Sequence, residues 1–162
     1  MTDGATVAIT APGAAALGEA LEALGFGVNY VADERTADVV AAAAGRGAEV
    51  LTFPTDCDER TARAFAEGVL AGARPTLVAS VERCGASQRT KQYLSCRGED
   101  LGAYTARCDA IFEAVAAQRR AGERPEDGTL LLAVGDGGNE CGMGGVGDAA
   151  RALGAAARGG KV

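Results

Sequence analysis

The sequence predicts an α/β protein: a three-layer α/β/α arrangement around a mostly parallel, five-stranded, Rossmann-like sheet. Three observations lead there. Short apolar runs alternate with Ala-rich segments over the first half of the chain, joined by brief connections, which implies parallel strands with helices on both faces. A further β-compatible run, Thr129 to Val134, empties into a Gly-rich acidic loop, and an open α/β sheet places its ligand at such carboxyl ends of strands. Finally, 162 residues with 48% hydrophobic content suit one domain with a real core, so residues 1–162 are read as a single domain.

The elements follow in order. Ala5 to Thr10 is a short apolar strand. Pro12-Gly13 marks a turn, and Ala14 to Leu24 is a helix with Leu17, Leu21 and Leu24 on one face. Gly25 stops it. Phe26 to Val31 reads as the second strand, ending at Asp33. Thr36 to Ala44 is the second helix, with Asp38 near its start and Gly45 after its end. Glu49 to Phe53 is the third strand, closed by Pro54, and Thr55 or Asp56 caps a third helix running to about Ala71. Pro75 introduces a fourth strand, Thr76 to Val81. The rhythm then breaks: Glu82 to Asp100 is polar, basic in its middle and without period, and a loop of that length in a compact domain is usually functional or mobile. Tyr104 to Arg120 resumes as a helix with Cys108, Ile111, Phe112 and Val115 facing inward. Ala121 to Gly128 is a charged turn, Thr129 to Val134 a buried strand, and Asp148 to Arg158 a last short helix. The sequence stops at Val162, which predicts a domain truncated after about 147, or one completed by a missing segment, another chain or a homo-oligomer.

Composition removes several functions. No apolar run reaches the roughly 20 residues of a membrane span, and MTDGATVAIT shows neither a secretory signal nor a transit peptide. A net charge of −6 and a pI of about 4.7 argue against nucleic acid but do not exclude an anionic small substrate, because nearby arginines and backbone N–H groups set the local field. The cysteines number five, an odd count without CxxC, so reduced thiols in a cytoplasm-like compartment are expected rather than disulfides or a zinc knuckle. Histidine is absent. Acid–base chemistry must then use carboxylates, Lys, Tyr or Cys, and any metal must be hard and oxygen-bound, of the Mg, Mn or Ca kind.

Two polar regions follow strand ends and should open at one edge of the sheet: Glu82-Arg83 with its loop, and Gly135 to Glu140. Together they bring Glu82, Arg83, Arg97, Asp136, Asn139 and Glu140 around one cleft. Arginines can hold a carboxylate through paired hydrogen bonds, carboxylates can move protons or hold a hard metal, and glycine N–H groups can face an oxyanion.

The segments SVERCG, YLSCRGEDL and AVGDGGNECGMG resemble the D-glutamate cyclase C-terminal-like family, in order and at plausible spacing over about residues 10 to 147. GDGGNExGMG is a specific pattern; ER and RGxD alone are weak. Cys84 stands where the family pattern has proline and Cys96 where it has methionine, and the family domain continues past the GMG element. Carried over, the polar motif positions are Glu82, Arg83, Arg97, Asp100, Asp136, Asn139 and Glu140. The resemblance implies a carbon-oxygen lyase that cyclises D-glutamate to 5-oxo-D-proline with loss of water, in the cytoplasm or the mitochondrial matrix. In that scheme Arg83 and Arg97 hold the substrate carboxylates, and Asp136 or Glu140, with Glu82 beside them, moves the proton. Gly137 and Gly138 N–H groups steady the tetrahedral oxyanion. The resemblance fixes no cofactor; a variant places a Mg or Mn ion on Asp136, Asn139 and Glu140.

Other readings remain open. A non-catalytic ligand-binding or regulatory remnant of the same domain is one. GDGGN also resembles the final acidic motif of haloacid-dehalogenase-like phosphatases, and Asp56-Cys57-Asp58 imitates their nucleophile pair. Gly142 to Gly147 fits GxGxxG, but it begins eight residues beyond Val134 with no second βαβ half after it, so a Gly-rich turn explains it far better. Glu82-Arg83 alone reads as an ion pair at a strand end, Asp100 as a cap before the Tyr104 helix, Arg89 and Lys91 as a solvated face, Tyr93 as core and Cys141 as a small apolar filler.

Overall fold

A computed structural model of the protein describes residues 4–8, 11–45, 47–120 and 128–146. Strands and helices alternate as β1 (Gly4–Ala8), α1 (Ala11–Ala23), β2 (Gly27–Asp33), α2 (Ala37–Ala44), β3 (Glu49–Phe53), α3 (Glu59–Ala73), β4 (Leu77–Val81), α4 (Asp109–Arg120) and β5 (Leu130–Val134). The fold is mixed α/β; the described residues form four α-helices and short strands that pair in parallel in the order β3-β2-β1-β4-β5. Parallel pairing puts every strand's carboxyl end on one rim. There Asp33 lies opposite Phe53, and Val81 opposite Val134.

Side chains alternate across a strand, and here the alternation feeds two apolar clusters. Tyr30, Ala32, Ala79 and Val81 pack with Ala14 of α1 and Val40 of α2. Val31, Phe53 and Val78 pack with Ala66 of α3 and with Ile111 and Val115 of α4. Phe53 and Ile111 are fully buried, each contributing about 1.5–3 kcal/mol by leaving water. Cys108, Ile111, Phe112 and Val115 all face inward, as the helical spacing predicts.

Several local expectations are corrected. Pro12-Gly13 is not a turn but lies in the first turn of α1, where proline's missing N–H costs nothing. Leu24 lies past the helix end and is exposed, whereas Leu17 and Leu21 pack inward. The cap of α3 is neither Thr55 nor Asp56 but Asp58, whose Oδ1 accepts the Thr61 N–H at 2.7 Å. α4 begins at Asp109, not Tyr104. The reason is that Ala106 has its N–H on Asp33 and its carbonyl on Arg83 and the Cys108 N–H, so its backbone is unavailable to a helical ladder. β5 is not buried on both faces: it is the edge strand beyond β4. Leu131 and Ala133 pack on the core, while Leu130, Leu132 and Val134 are 56%, 40% and 44% exposed. The expected turn over 121–127, the last helix over 148–158 and the end of the chain lie outside the described residues.

Candidate functional site

The chain leaves β4 and β5 side by side and stays paired beyond them. Glu82 N–H donates to the Val134 carbonyl at 2.8 Å, Cys141 N–H to the Arg83 carbonyl at 2.7 Å, and Gly85 N–H to the Asn139 carbonyl at 3.0 Å. Cys84 and Glu140 form an antiparallel bridge. The Gly135–Asn139 loop therefore turns the chain back on itself, against the segment leaving β4. Only glycine permits the turn. A Cβ on Gly135 would sit 2.7 Å from the Glu140 side chain, and Gly138 has φ +83°, a region L-residues avoid.

Glu82 and Arg83, adjacent in sequence, point opposite ways. Arg83 is buried. Its guanidinium makes a paired ion contact with Asp33, from the end of β2, and donates to the Ala106 carbonyl at 2.7 Å. Burial works against that charge, but hydrogen bonding and attraction from Asp33 outweigh it and raise the pKa. Arg83 thus holds an internal carboxylate, not a substrate's. Asp33 escaped sequence reasoning because its partner lies fifty positions away; its only signal was an acid at the end of a strand.

Glu82 turns outward with φ +53°, a conformation costing about 1–2 kcal/mol. Its carboxylate, that of Asp136 and that of Glu140 offer oxygens all within 4.8 Å of one another. Glu82 and Asp136 are exposed and Glu140 is buried. Partial desolvation, then the charges of Asp136 and Glu140, push the Glu82 pKa up. Glu140 is held by its own loop: the Gly137 and Gly138 N–H groups each donate to it at 2.7 Å. The amides expected to meet an oxyanion are therefore already donors to Glu140. The oxygen spacing suits a hard divalent cation, and a cation here would be shared by Glu82, Asp136 and Glu140. The set expected from the sequence was Asp136, Asn139 and Glu140; the Asn139 amide nitrogen donates to the Leu94 carbonyl at 2.9 Å.

A cleft of about 840 Å³ opens beside the cluster, and Glu140 belongs to its wall. The Gly137–Gly142 loop lines it on one side, Leu131 of β5 and Asp109, Phe112 and Glu113 of α4 on another. The segment after β4 completes it through Arg89, Leu94 and Cys96; Arg89 is solvent-exposed, as expected, and also stands at the cleft. Arg97 and Asp100 belong to the neighbouring turn and not to this wall. Arg97 is at the exposed tip, and Asp100 accepts the Gly102 N–H at 2.8 Å, nine residues before α4. Tyr93 is core, as expected, and also a fastener: its hydroxyl donates to Asp109 at 2.6 Å, while the Ala86 N–H donates to the other Asp109 oxygen at 2.8 Å. Cys141 is buried, and burial first of all lifts its thiol to about 12, which fits an inert filler.

Asp56-Cys57-Asp58 follows β3 and the GDGGN segment follows β5, the two opposite edges of the sheet. A metal-dependent phosphatase needs such acids around one ion, so the structure removes that reading. The described part of the GxGxxG stretch forms a turn and a short 3-10 helix, Met143–Val146, not a strand-to-helix phosphate loop.

Fold and site together define an α/β domain with an acid-bearing site on the carboxyl rim of parallel strands. The chain belongs to the family described as D-glutamate cyclase-like, C-terminal, whose model matches residues 2–157. No curated relative and no solved structure matches it. No helix among the described residues is long and apolar enough to cross a membrane.

Proposed function

We propose that the chain is a D-glutamate cyclase-like lyase, closing D-glutamate to 5-oxo-D-proline with loss of water. The observation that carries this reading is the convergence of Glu82, Asp136 and Glu140 within 4.8 Å beside a cleft. The substrate ammonium enters the acidic cluster. Glu82, whose affinity for a proton is raised by its surroundings, takes the proton that frees the amine lone pair and returns one to the departing hydroxyl. Attack on the γ-carboxyl carbon is intramolecular, so holding the substrate folded removes much of the entropic barrier. Arg89, at the cleft wall, takes the α-carboxylate in place of Arg83 and Arg97, the two arginines that the sequence pattern offered for the substrate carboxylates. A Mg or Mn ion on Glu82, Asp136 and Glu140 would supply Lewis-acid polarisation of the γ-carboxyl group. The three-layer, Rossmann-like description of the fold belongs to the same proposal, supported by the two apolar clusters. So does a small-molecule partner.

The test is incubation of the purified protein with D- and L-glutamate, with and without Mg or Mn, and assay of 5-oxoproline. Asp136→Asn and Glu140→Gln should each lower turnover about a hundredfold; unchanged turnover in both contradicts the reading. A ligand-binding remnant is the second reading. It is favoured by one fact, that Glu140 already occupies both glycine amides, and it predicts saturable glutamate binding with no product.

A further inference from the structure

We propose that the cleft takes γ-glutamyl amides, in which the γ-carboxyl group is condensed with an apolar amine, and closes them to 5-oxoproline with release of that amine. This rests on the cyclising function proposed above and names its substrate class.

The first argument is charge. Asp109, Glu113 and Glu140 line the cleft, with Glu82 and Asp136 against Glu140. Among the described residues Arg89 is the one cation in that wall. Other guanidinium groups are engaged elsewhere: Arg83 with Asp33, Arg107 with the Cys57 carbonyl at 3.0 Å, and Arg119 with the Thr129 carbonyl at 2.6 Å. Free glutamate brings two carboxylates. Arg89 can neutralise one; the other would face like charges, which disfavour each other at close range. An amide carries no charge at that carbon, so a γ-glutamyl amide matches the wall group for group: its ammonium meets the acids and its single carboxylate meets Arg89.

The second argument is space. A cleft of about 840 Å³ belongs to the range that holds drug-sized ligands. Its wall includes Leu94, Phe112, Ala116 and Leu131. Free glutamate, with only two methylene groups, would leave that apolar surface wet. An apolar amine portion would cover it.

The chemistry balances without a co-reactant. The substrate amine, in its neutral form, forms a bond to the γ-carbonyl carbon. The amide C–N bond breaks, and its electron pair leaves with the departing nitrogen. That nitrogen takes up the proton lost by the attacking one. The Gly137 and Gly138 amides are bonded to Glu140, and attack on a neutral amide builds one negative charge in the intermediate where attack on a carboxylate builds two.

The test uses the full chain with the D- and L-forms of γ-glutamyl-p-nitroanilide and with free glutamate, following p-nitroaniline and 5-oxoproline together. The expected result is equal release of both products from one anilide enantiomer, with kcat/KM at least about tenfold above that for the free acid. Ala116→Leu and Ala116→Trp, which fill the apolar wall in two steps, should raise KM for the anilide progressively, the larger by at least about tenfold, with circular dichroism confirming that both remain folded. Cyclisation of free glutamate with no reaction of either anilide overturns this inference and leaves the proposed function standing. Release of p-nitroaniline with glutamate instead of 5-oxoproline means hydrolysis and overturns it too. No product from any substrate overturns both.

Discussion

At the end of β4 the chain splits charge between two regions. Inward, Arg83 and Asp33 neutralise each other, both nearly excluded from water, and tie the ends of β2 and β4 to the backbone at Ala106. Outward, one residue away, Glu82 joins Asp136 and Glu140 with no cation bonded among them in the described residues. The inward region pairs its charges, although the buried Arg83 Nε–H is left without a partner; the outward region is strained at Glu82 and crowded with like charge. Opposite charges brought together hold a fold, whereas like charges brought together disfavour one another's ionisation. The inward pair also explains how the outward one persists: Arg83, fixed by its side chain and by its carbonyl's bond to Cys141, sets where Glu82 must point.

The largest effect should come from breaking the inward region. Asp33→Ala leaves a buried guanidinium uncompensated and should cost about 3–5 kcal/mol in chemical denaturation. Asp33→Leu combined with Arg83→Met removes both charges and should cost far less than the sum of the single changes. Next comes the link between the regions. Tyr93→Phe deletes the hydroxyl that donates to Asp109 and should lower stability by about 1–2 kcal/mol, with faster amide exchange across the Cys84–Asp100 loop. The smallest effect belongs to the outward region and has the opposite sign. The folded chain holds the Glu82 pKa above its ordinary 4.5. Its contribution to stability is complete below that value and is lost as pH rises through the raised one. Glu82→Gln should therefore melt slightly above the parent at neutral pH and level with it in acid.

Much of the frame was legible because it is local. Glu49–Phe53 is a strand to the residue, and short β-α connections announced parallel pairing before any coordinate. The glycine loop was legible too, since an acid flanked by glycines at a strand end has few structural uses. What failed to show was long-range. Nothing near Arg83 reveals that Asp33 will claim it, and that pairing in turn displaces the start of α4 by occupying Ala106. The exposed face of β5 was hidden because an unbroken apolar run looks the same at the edge of a sheet as at its centre. The role of Glu140 as acceptor for Gly137 and Gly138 depends on a curl of the backbone that composition does not encode.

The central claim, that the acid after β4 and the acids of the glycine loop share one site, is tested most directly by NMR titration of the Glu82 side-chain carboxyl. In the parent protein it should titrate above 4.5, and in Asp136→Asn its midpoint should move down, because a neighbouring negative charge has been removed. A Glu82 titration that is identical in the two proteins would contradict the account.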